Sequence, residues 1–400
     1  MTITHVANTP IEDLDLVVVG GGKAGKTLAM DWARAGQTAA MIERSKIGGT
    51  CINVACIPTK TLINSGRVLN SARRATEFGI TGVEKPRMSV DLLRLRKEDV
   101  VNTMVAGQLA SFTDSGMDFI LGEARFVGDR TVEVALNNGG SRALRGADVV
   151  LNLGTKPLPS AIEGMAESSV QTSDTLLALG SLPESIIVLG GGYIGCEFAD
   201  LLNTIGVQVT IVQGGSQLLP REDPDIAAAI EKMFTNAGIT VLLGARAAKI
   251  ARDTDGTVTV TLPDGGSVTA DDILVAVGRK PVTDGMNLEG FGIELSTCRA
   301  GPNREVLYGR RREPVVSRMI RRAGNKTGSA GHGRWPWAFL NRWLTAAEPR
   351  LTTGEAIVVS RGSRRAASKM LSKPMTWTSS GTCWPALRMA LMKPMAIKSL

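Results

Sequence analysis

A short apolar run that ends in Gly-x-Gly-x-x-Gly and opens a helical pattern occurs twice in this chain, and it constrains the fold more than any other feature. Residues 14–19 (Leu-Asp-Leu-Val-Val-Val) read as a buried parallel strand; Gly20-Gly21-Gly22-Lys23-Ala24-Gly25 follows, and apolar spacing of helical period runs on to Ala35. Gly20 permits the tight turn, Gly22 the close approach of a pyrophosphate, and Gly25 close packing of helix on strand. The helix N-terminus adds amide donors and a dipole that favours phosphate. A second strand over 38–42 ends at Glu43, placed to accept from ribose hydroxyls. The pattern returns at 185–189, followed by Gly190-Gly191-Gly192-Tyr193-Ile194-Gly195 and a helix beginning Cys196-Glu197-Phe198-Ala199. Its next strand, 207–212, ends at Gln213, a neutral amide that neither demands a free 2′-hydroxyl nor repels a 2′-phosphate. Arg221 is a candidate to reach such a phosphate; an exposed surface arginine is the plain alternative. The expectation is an α/β protein with two tandem Rossmann-like domains and two bound dinucleotides.

Beside the first fingerprint lies Gly48-Gly49-Thr50-Cys51-Ile52-Asn53-Val54-Ala55-Cys56-Ile57-Pro58-Thr59-Lys60. Across an undistorted helix, residues five apart have Cα atoms about 8.6 Å apart, whereas a disulfide needs roughly 4.4–6.8 Å. The flanking Gly-Gly and Pro permit a local distortion that closes the gap. A disulfide made there is strained and accessible, hence reducible, which is the catalytic or regulatory kind; two unrelated thiols at a helix start are the alternative. Cys196 lies in an apolar helical stretch and reads as core, while Cys298 and Cys383 carry no motif.

The five cysteines are too irregular for a secreted disulfide framework, no run of about 18 apolar residues exists, and residues 1–10 show no basic-then-apolar leader. The expectation is a cytoplasmic protein with no membrane role and no metal site. The net charge of +8 hides a break: residues 1–300 carry 27 Lys+Arg against 34 Asp+Glu, and residues 301–400 carry 19 against four Glu and no Asp. Five of the six tryptophans also fall in the last hundred residues. The two segments did not arise under the same constraints.

The combined motifs resemble the pyridine nucleotide–disulfide oxidoreductases, the family of glutathione reductase, dihydrolipoamide dehydrogenase and mercuric reductase. Gly20, Gly22, Gly25 and Glu43 match the FAD fingerprint; Cys51, Cys56 and Lys60 match the redox site; Gly190, Gly192 and Gly195 match the nicotinamide fingerprint. The connectors Leu153-Gly154-Thr155-Lys156-Pro157 and Val277-Gly278-Arg279-Lys280-Pro281 match as well. The phrases Gly-Lys-Ala-Gly-Lys-Thr at 22–27 and Leu-Pro-Arg-Glu-Asp at 219–223 look most like mercuric-reductase-like and reactive-chlorine-resistance flavoproteins. The resemblance implies FAD bound by residues 13–159, with Gly49, Thr50, Lys60, Gly154, Thr155, Gly278 and Arg279 among its contacts. It implies NAD(P)H held by residues 160–278 at the Gly190 loop with Gln213 and Arg221, and residues 279–298 returning to the first domain. It also implies roles. Electrons pass from the nicotinamide through FAD to the Cys51–Cys56 bond, with Tyr193 covering the flavin until the nucleotide arrives. Cys56 is then the flavin-side thiolate, Cys51 the exchange thiol, and Lys60 pairs with Glu197. A cation and a helix N-terminus both lower a thiol pKa, which agrees. Disulfides, metal ions, quinones and dioxygen are all acceptors of this family.

The resemblance ends near Ser296–Gly301. A relative would continue with a Gly-Asp strand and an interface domain that supplies a His-Pro pair to a partner subunit. Here the last aspartate is Asp284, and the later histidine, His332, stands in Gly331-His332-Gly333 without proline. A change of reading frame explains this most simply: out-of-frame codons within 376–386 permit Leu-Asp-Ile-Val-Gly-His-Leu-Leu-Ala-Gly, like an interface-domain strand. The expectation for 299–400 is an out-of-frame or disordered basic tail rather than a nucleic-acid-binding domain. The family's homodimer is expected, but without the interface domain that builds it. Two functions follow: a working FAD-dependent oxidoreductase, or a truncated relative that binds nucleotide with little turnover.

Overall fold

A computed structural model of the chain describes residues 10–291 apart from 84, 159–161 and 179, together with Ile293 and the backbone of three short strands beyond. The first unit is β1 (Ile11–Val19), α1 (Lys23–Arg34) and β2 (Ala39–Glu43). β1 starts earlier than its apolar run because residues 11–14 are held by parallel pairing with 143–146. A helical excursion, which the sequence places at 61–114 between the second strand and the next, begins sooner. It comprises α2 (Gly49–Asn53), α3 (Cys56–Arg73), a 3-10 turn and α4 (Val90–Ser115).

β3 (Asp118–Gly128), β4 (Thr131–Leu136) and β5 (Ser141–Leu151) complete the first half. The two long strands change partner along their length. Residues 118–121 of β3 run parallel to β2, and 122–128 run antiparallel to β4. Residues 141–145 of β5 face β4, while the strand runs parallel to β1 from 143 to 151. The sheet therefore closes on itself around Val17, Ile42, Phe126, Val134, Leu144 and Leu151. Met286, Leu288 and Ile293 pack into this same core from far along the chain. Each fully buried side chain of this kind stabilises by roughly 1.5–3 kcal/mol.

β6 (Thr155–Pro157) leads into the second half, which contains α5 (Ser173–Leu176), β7 (Ser185–Leu189), α6 (Tyr193–Thr204), β8 (Gln208–Gln213), α7 (Pro224–Asn236) and β9 (Thr240–Leu243). A three-stranded antiparallel sheet follows, made of β10 (Lys249–Arg252), β11 (Val258–Thr261) and β12 (Ser267–Ala270). β13 (Asp272–Val275) returns to give the parallel order β13-β7-β8-β9, and β14 (Arg279–Pro281) pairs antiparallel with β6 to form the connector between halves.

The halves dock through α3 against α6. Leu62 joins Phe198, Leu201 and Leu202 in one buried cluster, and Gly66 lets the helices approach: a Cβ there would meet Thr204 Cγ2 at 3.1 Å. Arg73 donates to the Thr204 carbonyl at 2.7 Å, and the buried Lys97 of α4 donates to the Leu177 carbonyl at 2.7 Å. Beyond the second half, strands 295–297 and 305–307 pair with each other, and strand 357–360 lies antiparallel beside β5. The expected frame change, Cys298, His332 and Cys383 lie outside the described residues. Among the described residues no helix is long and apolar enough to cross a membrane, and none of their His, Cys, Asp and Glu side chains cluster as a metal site.

Candidate active site

Both glycine loops form where a parallel strand meets its helix, and both are held from the end of the neighbouring strand. Gly20 has φ +105°, and a Cβ on it would lie 2.1 Å from the Asn152 carbonyl oxygen, so glycine is required. Gly25 is pressed against Gly20, with 2.7 Å from a built Cβ to the Gly20 oxygen. Glu43, buried at the end of β2, accepts from the Gly21 amide with Oε2 and from the Ser45 amide with Oε1, each at 3.0 Å. In the second half a Cβ on Gly195 would lie 1.9 Å from the Gly190 oxygen. Gln213 accepts from the Gly191 amide at 2.9 Å and donates to the Gln217 carbonyl at 3.2 Å.

The helices behind these loops are left open at their N-termini. α1 and α6 are capped by Gly22 and Gly192, with no side-chain hydrogen bond and no acid in the first turn. By contrast α4 and α5 are capped by Ser89 and Thr172. Unsatisfied amides and a bare dipole fit a diphosphate. A Cβ on Gly192 would meet nothing within 4 Å, so the second loop faces open space.

The cysteine segment is built against the first loop. Gly48 and Gly49 both take positive φ, and a Cβ on Gly49 would lie 2.8 Å from the Cα of Gly22. Asn53 clamps the turn by donating to the Ile47 and Gly49 carbonyls at 2.9 Å. The helix then breaks: α2 ends before Val54, Ala55 has φ −145° and ψ −104°, and α3 starts at Cys56. This break is the local distortion the five-residue spacing requires. Cys51 and Cys56 are both free thiols here, half-buried and exposed respectively.

Their electrostatics are unequal. The hydrogen bond from Cys51 holds Cys56 down to about 6, against the opposing cost of burial, and the Lys60 ammonium adds to the lowering. Cys51 is pushed far up, because that bond and burial both hold its proton. Lys60 pairs with Glu197 across the α3–α6 contact, so a residue of each half meets beside the thiols. Cys196 is buried, pushed up to about 11 by burial, and belongs to the core.

The remaining sequence candidates divide. Gly154 stands near Thr50, whose Oγ1 would be 3.5 Å from a Cβ at Gly154. Thr155 and Arg279 bind each other, Nε to Oγ1 at 2.9 Å, and Arg279 reaches on to Ser173 and Asp174. Gly278 accepts from Leu158 across the connector at 3.0 Å. These three tie the halves together. Tyr193 is 53% exposed and its hydroxyl donates to Glu222, which raises its pKa. Arg221, next to Glu222, is exposed. Sequence reasoning missed Asn152 under the first loop, Glu222, and Arg246, whose stem would meet a Cβ on Gly214 at 2.8 Å. It also missed the buried Lys26. Only Lys26 carried a local signal: a lysine on the face of α1 that should pack inward.

Comparison with known proteins agrees with this geometry. The family model described as pyridine nucleotide-disulphide oxidoreductase matches residues 14–301. A mercuric reductase of Streptomyces lividans is 32% identical over 320 residues, covering 79% of this chain and 65% of its own. A dihydrolipoyl dehydrogenase of Bacillus subtilis is 33% identical over 286 residues, covering 71% and 62%. The Cu(II) complex of the HOCl-induced flavoprotein disulfide reductase RclA from Escherichia coli superposes with TM-score 0.63 at 32% identity, covering 73% of this chain and 62% of that one. The chain thus spans somewhat under two thirds of the length of these relatives. The family uses FAD and NAD(P)H. With its paired glycine loops, broken cysteine helix and matching family model, this chain belongs to the pyridine nucleotide-disulphide oxidoreductases.

Proposed function

We propose that this chain is an FAD-dependent oxidoreductase that takes electrons from NAD(P)H and delivers them through Cys51 and Cys56 to a small acceptor. In this reading residues 13–159 hold FAD, 160–278 hold the nicotinamide nucleotide, and 279–298 return to the first half. The observation that carries it is the asymmetric thiol pair, broken out of a helix beside a dinucleotide loop, with Cys56 held as thiolate by Cys51 and Lys60.

FAD, when bound, supplies two-electron transfer between a nicotinamide and the pair. The chain's own residues do the rest. The α1 and α6 amides bind diphosphates, Glu43 accepts from ribose, and Lys60, fixed by Glu197, keeps positive charge beside Cys56. Cys51 retains its proton at rest and is the thiol that meets the acceptor. The mercuric ion in one relative's name and the Cu(II) of the RclA complex are thiol-seeking, and the dihydrolipoyl group of another is a dithiol, the reduced counterpart of a disulfide. A disulfide or soft metal ion is therefore the acceptor class proposed, with the chain in the cytoplasm.

Anaerobic reduction of the flavin-loaded protein tests this. Cys51→Ser should keep a stable long-wavelength thiolate–flavin absorbance and Cys56→Ser should abolish it. Absence of the band in Cys51→Ser with flavin bound would overturn the assignment. The compositional break after residue 300 favours a second reading, a nucleotide-binding relative with little turnover; purified protein lacking flavin absorbance would select it.

A further inference from the structure

Lys26 follows the third glycine of the first loop, where nucleotide binding asks for no lysine. It is 8% exposed, although lysine is almost never buried unless paired. Its Nζ donates to the neutral Gln108 side-chain oxygen on α4. Burial depresses its pKa first of all; Cys51 acts in the opposite sense and Lys23 adds to the depression. An ammonium buried against a neutral amide oxygen has no carboxylate there to offset its charge. Backbone contacts bring the two segments together: the Lys26 amide donates to the Gly22 carbonyl at 3.0 Å, Gly49 is pressed on Gly22, and Cys51 is two residues into that same short helix.

We propose that Lys26 is a positioning residue for Cys51, its buried ammonium serving as the counter-charge of the Cys51 thiolate during exchange with an oxidised acceptor. The proposal rests on the redox reading of the pair. In the reduced pair Cys56 carries the charge and Cys51 the proton. For Cys51 to act, that proton leaves; its sulfur then bonds one sulfur of an acceptor disulfide, whose other sulfur departs as thiolate. Cys56 thiolate next attacks Cys51, the second acceptor sulfur departs, and the Cys51–Cys56 bond forms. The cysteines lose two electrons and the acceptor gains them, while the Cys51 proton and one from water end on the product thiols.

The groups facing Cys51 are Cys56 of α3, which raises its pKa, and Lys23 and Lys26 of α1, which lower it. Lys60 and Glu197 act on Cys56 instead, and Gln108 of α4 is neutral. Lys23 is exposed, so salt screens it; Lys26 is buried and keeps its effect.

The test uses the full chain carrying Cys56→Ser and follows iodoacetamide modification of the Cys51 peptide by mass spectrometry from about pH 6 to about pH 10. Adding Lys26→Met should slow modification near neutral pH about tenfold and move its midpoint up about one unit. Lys26→Arg should restore the profile. The Lys26 effect should persist in about 0.5 M salt, while the smaller effect of Lys23→Met should vanish. An unchanged Cys51 profile in Lys26→Met overturns the proposal. So does normal Cys51 reactivity with loss of FAD, which would assign the ammonium to the flavin phosphates. If Lys26→Met does not fold, Lys26→Gln takes its place in the same comparison. The readout needs neither flavin nor acceptor, so it fails separately from the redox reading, which the absorbance band tests.

Discussion

The two glycine loops share a plan and differ in the atoms that hold it. In the first, a buried carboxylate, Glu43, accepts from the Gly21 amide; in the second, the Gln213 amide accepts from Gly191. The clasp needs only an acceptor at the end of the second strand, so its charge is free to answer to the ligand. The floors differ too. Gly20 rests on Asn152, whose side chain donates back to the Gly20 carbonyl at 3.2 Å, while Gly190 rests on the backbone of Ala276. The first half also carries the thiols and Lys26, and the second contributes Glu197 to the same place. A repeated architecture has thus diverged in charge around a shared backbone plan.

The tightness of the two turns gives the largest expected effect. Gly195→Ala must move a backbone oxygen 1.9 Å from the new Cβ, against 2.7 Å for Gly25→Ala. We expect Gly195→Ala to destabilise by about 3 kcal/mol and Gly25→Ala by about 1–2 kcal/mol, read as denaturant midpoints without added nucleotide. Equal destabilisation would break the distinction between the loops.

Exchanging the clasps comes next. Native protein should discriminate NADH from NADPH by less than about tenfold, under roughly 1.4 kcal/mol. Gln213→Glu should keep the loop yet favour NADH by more than about tenfold, because a carboxylate repels a 2′-phosphate. Glu43→Gln should keep the first loop and weaken FAD retention about tenfold, by loss of a charged acceptor. Nucleotide titrations and flavin content report both. A native preference of about a hundredfold would show that residues outside the clasp decide, with Arg221→Ala and Arg246→Ala the first to examine.

The smallest effect lies where the halves meet. A thiol lowered to about 6 is mostly thiolate above that pH, so alkylation of Cys56 should rise through pH 6 and level off well below the range of an ordinary thiol. Cys51→Ala should move this midpoint up most, since its hydrogen bond is the leading cause; Lys60→Met should move it less, slowing alkylation at pH 6 about threefold. A larger shift from Lys60→Met would transfer the control of Cys56 from the thiol pair to the contact between halves.

Much of this was readable locally. Strand 185–189 has the ends its apolar run predicts, because Gly190 stops it and the following glycines start α6. The broken helix between Cys51 and Cys56 was readable for the same reason, from Gly-Gly, Pro and spacing. Helix α3 was less so: its start at Cys56 precedes the expected excursion, since Pro58 is tolerated in a first helical turn. The double use of β3 and β5 left a glycine at each change of partner, Gly122 and Gly146, but an isolated glycine inside a strand does not say which partner follows.

By itself the amino-acid order determined the fold class, both dinucleotide loops, their clasping residues and the cysteine pair, since each depends on backbone freedom and side-chain type within about twenty-five residues. Only the tertiary structure decided what surrounds them. Lys26 meets Gln108 across 82 positions and Arg279 binds Thr155 across 124, while the pairing of Lys60 with Glu197 across 137 was expected through the family resemblance and not from any local pattern. Burial and the charge it isolates are set by chain segments that meet only on folding, so no local pattern carries them.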